Sequence, residues 1–501
     1  MNARALWLLR NSDPDDAESI YRAAAIAMKS DLAAETLPVA QAGAARFPGD
    51  ARMWQMLALA HRRLEDLAPA MEEIARAAAL APADPLIAHT RARIALEAGC
   101  DSASLFAVAR RLAPDDMSIL LGHVAACFGE GRIEEAIAML EDRLAADPSW
   151  IEGQSSLARL RWMRGERDSF AAGFETALAR LPGNLALWRE WIDTLMQAEM
   201  LDAALDVIAR GRAAAGESAV FAALETVCRA EKGETATADA LFERLGPIEH
   251  VTLAARHMRH LLRAGRPERA SAFAETWRGR DPGHLLHPYV SAAWRLTGDA
   301  RWQALEGDPA FIGIYDLDLP GLDALAERLR SLHVSLHHPL EQSLRGGTQT
   351  DGPLFSRIDP EIRALRAALV AAVEHHVAML PAPRPDHPLL VANRAPIRFA
   401  GSWSVRLTGA GYHVNHIHPQ GWLSSAFYVA LPEAAMGGAN HAGWLTLGEA
   451  TELGLDLPPI RLIEPKPGRL VLFPSTMWHG TRPFAAGERL TIAFDVARPQ
   501  Q

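Results

Sequence analysis

The sequence predicts a multidomain α + β protein, with an N-terminal α-solenoid of helix pairs and a C-terminal antiparallel β-domain. In the first 300 residues, prolines recur every 32 to 34 residues within segments of helical periodicity. After Pro388, short strand-like runs alternate with Gly and Pro clusters, which is typical of a sandwich or barrel. A chain of 501 residues is also too long for one hydrophobic core. We therefore expect a solenoid at residues 1–300 and a β-domain at residues 310–501.

The helical half has the period of a known repeat family. Its prolines are Pro48, Pro82, Pro114, Pro148 and Pro182, and the series continues at Gly216, Pro247 and Pro282. The positions between them resemble the tetratricopeptide repeat, in which Trp, Leu and a small residue precede Ala and a final Pro. Trp54, Leu57 and Ala58, for example, lead to Ala77 and Pro82. We expect seven such repeats and one more at the N-terminus. They serve either as a spacer or, as we favour, as a concave surface for a peptide or protein partner.

The composition argues against nucleic-acid and membrane partners. The net charge is −10, and no block of Lys and Arg provides the basic patch that nucleic acid requires. No stretch approaches the roughly 20 apolar residues that span a bilayer, and the N-terminal apolar run is too short for a secretory signal. Cys100, Cys127 and Cys228 lie far apart, which favours a reducing compartment. We expect a cytoplasmic protein.

The β-domain begins with helical patterns at residues 319–332 and 360–380, which would flank the sheet. The Gly-rich segment between them contains RGGTQT at residues 345–350, which forms either a hinged lid over a site or a tight turn. Strands are expected at residues 397–407, 422–431, 443–447, 469–473 and 489–496. These strands would carry the polar residues described next.

Histidines concentrate in the segment GYHVNHIHPQG, which contains His413, His416 and His418. In a strand, residues i and i+2 share a face, so His416 and His418 would point the same way, about 6–7 Å apart along the backbone. His413 has the opposite parity. Two imidazoles at that spacing can converge on one metal ion, and His479, just after a later apolar strand, is the candidate third ligand.

An arginine follows His479 at a spacing that indicates a carboxylate site. The segment TRPFAAGER has the turn residues of a hairpin, which would return Arg489 beside His479. Arg489 and Thr491 share parity, and a guanidinium with a hydroxyl suits a carboxylate ligand. Alternatively, Arg489 pairs with Glu488 or Asp495 on a sheet surface.

Together these residues resemble the iron(II)- and 2-oxoglutarate-dependent oxygenases of the double-stranded β-helix (jelly-roll) fold. Their pattern is His-x-Asp/Glu, a distal His, and Arg about ten residues later, often as Arg-x-Ser. The resemblance, which extends to a bacterial group that often carries tetratricopeptide repeats, implies Fe(II) and 2-oxoglutarate as cofactors. It implies His416, His418 and His479 as metal ligands, and Arg489 and Thr491 as ligands of the distal carboxylate of 2-oxoglutarate. Tyr412 is a further candidate for the cofactor pocket.

His418 departs from the family pattern, because an imidazole stands where a carboxylate is usual. Three arrangements are open. His418 ligates the metal, which we favour; or it lies behind the ligands while water completes the site; or a distant carboxylate, Glu433 or Asp495, takes the position.

The sequence therefore predicts a 2-oxoglutarate-dependent non-haem iron dioxygenase, by default a hydroxylase, acting on a peptide or protein recruited by the repeats. A cupin-type dioxygenase with three histidines and no 2-oxoglutarate is a rival. It expects a Glu shortly after the His pair, which residues 419–423 lack, and it gives Arg489 no role. The other rival is a repeat scaffold whose oxygenase domain is inactive.

Overall fold

The computed structural model describes residues 2–340, 342–432 and 441–499. The chain forms two compact units. The first comprises Met1–Met139 with Asp351–Ala364, and the second comprises Leu140–Thr350 with Leu365–Gln501. The division into residues 1–300 and 310–501 expected from the sequence stays a prediction.

The N-terminal region is helical, and within residues 2–340 the helices α2 to α17 form eight consecutive pairs, the number expected from the sequence. The helices are α1 Asn2–Arg10, α2 Ala17–Lys29, α3 Ala33–Arg46, α4 Ala51–Arg63, α5 Leu67–Leu80, α6 Pro85–Ala98, α7 Ala103–Leu112, α8 Met117–Gly129, α9 Ile133–Ala146, α10 Ile151–Arg164, α11 Ala172–Arg180, α12 Leu185–Gln197, α13 Leu201–Ala215, α14 Ala219–Glu231, α15 Thr235–Leu245, α16 Val251–Arg263, α17 Pro267–Glu275 and α18 His287–Thr297. In the part of the chain that the structure describes, none of the helices has both the length and the apolar character needed to cross a membrane.

The proline period has a local cause at the helix ends. Pro48, Pro82, Pro114 and Pro182 each follow the second helix of a pair, and two residues later an Asp or Asn precedes the next helix. These capping residues are Asp50, Asp84, Asp116 and Asn184. After Pro148 the same position is Trp150, which makes no side-chain cap. The carboxylate of Asp84, for instance, accepts hydrogen bonds from the backbone N–H groups of Leu86 and Ile87 at 2.8 and 3.1 Å. Such a cap satisfies donors that the helix itself leaves open, so each of these four helices begins at the same distance from its proline.

The C-terminal region is built from two antiparallel sheets with flanking helices. Its elements are β1 Gly313–Asp316, α19 Leu322–Ser331, β2 Leu344–Gln349, α20 Pro360–Met379, β3 Phe399–His413, β4 Gly421–Ala430, β5 Leu445–Leu447, β6 Arg461–Ile463, β7 Arg469–Pro474, β8 His479–Thr481 and β9 Glu488–Ala497. One sheet has six strands in the order β1-β7-β4-β9-β3-β2, and the other has three in the order β6-β5-β8. Tyr428 and Phe473 of the larger sheet share a buried core with Leu445 and Ile463 of the smaller one. The predicted fold class, helical repeats followed by an antiparallel sheet domain, is confirmed.

Two local predictions were wrong. Residues 344–349 form neither a lid nor a turn but strand β2, which pairs with β3. The glycines serve this pairing: Gly346 has a φ of +70° at a register shift, and a Cβ on Gly347 would lie 2.3 Å from the carbonyl oxygen of Arg406. The expected hairpin between His479 and Arg489 does not form either. Strand β8 pairs with β5, whereas β9 lies between β3 and β4, so the chain passes from one sheet to the other.

The last helix pairs and the sheet domain share one apolar core inside the second unit. Its buried members include Met258, Leu261 and Trp277 from the helices, and Leu453 and Trp478 from the sheet domain. The indole N–H of Trp478 also donates to the Pro288 carbonyl at 3.2 Å. This core joins residues on both sides of the boundary expected at residues 300–310, so the end of the solenoid and the sheet domain stabilise each other.

We expect Met258→Ala to lower the free energy of unfolding by about 2–5 kcal/mol, because Met258 is fully buried in this shared core and its loss leaves a cavity. Urea denaturation followed by circular dichroism measures the change. Met379→Ala, at a side chain that is 65% exposed, is the matched control and should change stability by less than about 0.5 kcal/mol. Equal effects of the two substitutions would contradict the shared core.

Candidate active site

His416 and His479 are brought together by the backbone. Each donates its backbone N–H to the other's carbonyl, at 2.9 and 3.0 Å, in an isolated antiparallel bridge. Directly opposed residues in such a pair project their side chains to the same side, and the two imidazole centroids lie 4.1 Å apart. His416 lies beyond the end of β3 rather than within a regular strand, so this bridge, and not the expected strand parity, fixes its position.

His418 joins this pair from the same irregular segment. Its backbone N–H donates to the Ser475 carbonyl at 2.9 Å, and its ring centroid lies 4.9 Å from that of His416 and 5.2 Å from that of His479. One ligand nitrogen from each of the three rings lies within 4.8 Å of the others. The structure therefore brings the three histidines singled out in the sequence to one point.

The three imidazoles are anchored in the same way, each through Nδ1. In His416 and His479 this nitrogen donates to the carbonyls of Val414 and Met477, at 2.8 and 3.0 Å. In His418 it donates to the Asp495 carboxylate at 2.6 Å. A neutral imidazole whose Nδ1 carries the proton has its lone pair on Nε2, so all three rings hold the tautomer of a metal ligand.

Burial keeps two of these rings neutral. Desolvation, reinforced by the neighbouring histidines, lowers the pKa of His416 well below its ordinary value. Desolvation and the adjacent His418 do the same to the pKa of His479. Only the neutral imidazole can ligate a metal, so these rings need not lose a proton at neutral pH.

Asp495 stands behind His418 rather than beside it. It lies on β9 opposite Ser424 of β4, whose hydroxyl donates to the second carboxylate oxygen at 2.6 Å. The carboxylate is therefore held between a serine and the Nδ1 of His418. The sequence suggested Asp495 as a substitute ligand but did not reveal this orienting role. Glu433, the other candidate carboxylate, lies outside the described residues.

We expect Asp495→Ala to weaken metal binding by about 10- to 100-fold, because the His418 ring loses the acceptor that fixes its tautomer and raises its basicity. Competition titration with a chromophoric chelator measures the affinity. Asp316→Ala, at an exposed carboxylate of the same sheet that pairs with Arg469, is the control. Equal affinities of the Asp495 variant and the unaltered protein would show that Asp495 does not act through His418.

Arg489 occupies a pocket without a partner acid. Its guanidinium is buried, donates to the Gly443 carbonyl at 3.2 Å, and lies 5.1 Å from the Tyr428 ring centroid. Its Nε has no hydrogen-bond partner, and among the described residues no carboxylate forms an ion pair with it. The two acids considered from the sequence are engaged elsewhere: Glu488 with Arg330 and Arg406, and Asp495 with His418. Burial lowers the pKa of Arg489, and arginine stays charged even so.

Thr491 and Tyr412, the two other candidates for the cofactor pocket, lie on β9 and β3 of the larger sheet. Thr491 is buried and lies two residues after Arg489 on β9, so the two side chains share one face of the strand. Its partners on the neighbouring strands are Tyr428 of β4 and Val405 of β3. Tyr412 is half-buried on β3 opposite Arg345, whose guanidinium turns to Glu199. Its role in cofactor binding stays a prediction.

Three neighbours of the cluster were not identified as site residues from the sequence. The Ser343 hydroxyl lies 3.1 Å from both His416 Nε2 and His413 Nδ1, so it donates to the first and accepts from the second. Burial, and then the charge of Arg489, lower the pKa of His413 to about 3. The Phe473 ring lies 4.7 Å from that of His479 and walls the site.

Residues 401–495 match the model of the protein family described as "Putative 2OG-Fe(II) oxygenase". The matched segment includes the three histidines, Arg489, Thr491 and Asp495. The resemblance predicted from the sequence is therefore confirmed for this part of the chain. No curated protein matches the chain significantly in sequence.

Several solved structures resemble parts of this chain. A tetratricopeptide repeat protein from Parabacteroides merdae is 14% identical, with 48% of this chain and 96% of that chain covered and a TM-score of 0.32. One from Thermus thermophilus is 20% identical, with 36% and 100% covered and a TM-score of 0.27. An oxidoreductase of the 2OG-Fe(II) oxygenase family from Burkholderia pseudomallei is 15% identical, with 28% and 58% covered and a TM-score of 0.20.

Proposed function

We propose that residues 310–501 form an Fe(II)- and 2-oxoglutarate-dependent oxygenase, by default a hydroxylase, with His416, His418 and His479 as the iron ligands. The observation that carries the proposal is the common anchoring of the three rings through Nδ1, which places the lone pair of each ring on Nε2. At His416 the metal would replace the hydrogen bond that Nε2 accepts from Ser343. Histidines that merely fill a core have no reason to share one tautomer and one meeting point.

The donor set suits iron although a carboxylate ligand is replaced by His418. Imidazole nitrogen is a common iron ligand, and three of them on one side leave the remaining positions open. The negative charge that a ligating carboxylate would bring is supplied from behind the ring, because the Asp495 carboxylate accepts a hydrogen bond from Nδ1 of His418. Iron bound there would supply, with 2-oxoglutarate and O₂, the oxidation of a C–H bond.

The arginine pocket suits the far carboxylate of 2-oxoglutarate. A buried guanidinium without a carboxylate is costly, and an anionic ligand would remove that cost. Arg489 would bind the carboxylate through paired N–H donors, and the Thr491 hydroxyl on the same face would add a neutral donor. The apolar walls at Tyr428 and Phe473 would exclude water and strengthen this ion pair.

We further propose that the repeats recruit a peptide or protein substrate. In support, the last helices are tied firmly to the sheet domain within the second unit. Arg259 donates to the Glu452 carbonyl at 3.1 Å, and Arg295 donates to the carbonyls of Gly448 and Pro458. A chain bound along these helices would therefore be held at a fixed position relative to the site.

An anaerobic titration tests the proposal. Iron-loaded protein should develop a visible charge-transfer band as 2-oxoglutarate is added, and with O₂ it should slowly form succinate. Iron binding without the band would favour a three-histidine dioxygenase that uses no 2-oxoglutarate. A folded protein that takes up no iron under these conditions would instead indicate an inactive domain on a repeat scaffold. Either result would overturn the proposal.

A further inference from the structure

A second cluster of metal-ligand side chains lies in the first compact unit. His123 and Cys127 are four residues apart on α8, so they occupy one face of that helix. Glu135 lies on the first turn of α9. One ligand atom from each lies within 4.8 Å of the others. No step of the proposed oxygenase uses these residues.

The histidine of this cluster has an unused nitrogen. His123 is only 6% exposed, and its Nδ1 is buried without a hydrogen-bond partner. A buried polar atom left unpaired costs about 1–3 kcal/mol, so it calls for an explanation. Together with Glu135, His123 also lines a cleft of about 500 Å³, through which a small ion can enter.

The carboxylate has an oxygen to spare. Arg132 contacts Glu135 through Nε and Nη2, at 3.0 and 2.6 Å, and both contacts are to the same oxygen, Oε2. The other oxygen is free of this ion pair. The neighbouring Glu130 is already committed, since it accepts the backbone N–H groups of Ser102 and Ala103 at the start of α7.

We propose that His123, Cys127 and Glu135 form a zinc site that joins α8 to α9, with a fourth coordination position open to the cleft. Nitrogen, thiolate and carboxylate are the donors that Zn²⁺ takes in a tetrahedral site. Zinc with bonds of about 2.0–2.3 Å holds its ligand atoms roughly 3.5 Å apart, so the side chains need to move by about 1 Å.

Binding is balanced by the loss of one proton to solvent. Burial raises the pKa of Cys127 to about 11, so the thiol enters the site protonated and the zinc ion displaces its proton. The resulting thiolate and the Glu135 carboxylate neutralise the dication, which lowers the cost of holding it beside a buried cysteine. Because the metal binds only the folded pair of helices, it also stabilises them.

The experiment uses the full chain with Co²⁺, under anaerobic and reducing conditions. Cobalt bound to a thiolate gives an intense near-ultraviolet charge-transfer band that cobalt bound to histidines alone does not give. We expect the band in the unaltered protein, with loss of the band when Zn²⁺ is added. Because the three-histidine cluster contains no cysteine, the band reports this site whether or not the proposed oxygenase activity is found.

Matched variants complete the test. Cys127→Ala should abolish the band, whereas Cys228→Ala, at the other fully buried cysteine, should keep it. Glu135→Gln, at an exposed side chain whose change cannot disturb the core, should weaken cobalt binding about tenfold or more. A folded protein without the band, a band that survives Cys127→Ala, or an affinity unchanged by Glu135→Gln would each refute the site.

Discussion

His479→Ala is expected to abolish turnover of 2-oxoglutarate and to lower Fe(II) affinity by more than about 100-fold. In the proposed site His479 is one of three protein donors, and its ring is fixed by the Met477 carbonyl and by the backbone bridge to His416. Without it, two imidazoles would hold the metal, and the open positions would no longer be defined. Iron content after anaerobic loading and succinate formation are the two measurements.

Two controls separate this loss from damage to the fold. His375→Ala, at an exposed histidine of α20, should leave iron content and succinate formation unchanged. The cavity left by His479→Ala is also of a size to admit free imidazole, which should restore part of the iron binding. Full activity of His479→Ala would remove the histidine from the metal site altogether.

Arg489→Met is expected to raise the Michaelis constant for 2-oxoglutarate at least about 100-fold, while iron binding stays unchanged. Removing one partner of a buried ion pair costs about 3–5 kcal/mol, and each 1.4 kcal/mol is a factor of ten in affinity. In the absence of the cosubstrate the same substitution should not destabilise the protein, because it removes a buried cation that has no acid beside it. This combination, weaker binding without loss of stability, distinguishes a ligand-binding arginine from a structural one.

Arg489→Lys and Arg406→Met serve as the matched variants. Lysine keeps the charge but lacks the forked donor, so an intermediate Michaelis constant is expected. Arg406 lies on the neighbouring strand, where it pairs with Glu488 and is partly exposed, so its replacement should change the constant by less than about threefold. A large loss of stability in Arg489→Met would assign the guanidinium to the core.

The sequence predicted the members of the candidate site better than it predicted their placement. His416, His418 and His479 were found by spacing, and they do meet, yet the meeting depends on a backbone bridge between segments 63 residues apart. Arg489 and Thr491 lie on one face of β9, as expected from the sequence, because strand parity is a local property. The strands beside β9 were not predicted, because the chain passes from the smaller sheet to the larger one between β8 and β9, and no turn sequence encodes that change of sheet.

Long-range partners account for what the sequence missed. Asp495 contacts His418 across 77 residues, and Ser343 reaches His416 across 73, so neither contact leaves a periodic signal. The glycines of residues 345–350 suggested either a hinged lid or a tight turn, because glycine permits motion and unusual backbone angles. Here they permit a close approach of two backbones, which the sequence cannot distinguish from a hinge.

The apolar core shared by Met258 and Trp478 limits how this protein can be divided or recombined. A fragment cut between the helices and the sheets would expose the apolar residues of this core to solvent and would tend to self-associate. The repeats nearest the site therefore cannot be exchanged freely, and foreign repeats grafted in their place would need apolar side chains that fit the same surface of the sheet domain. Divergence is freer in repeats whose side chains do not enter this core.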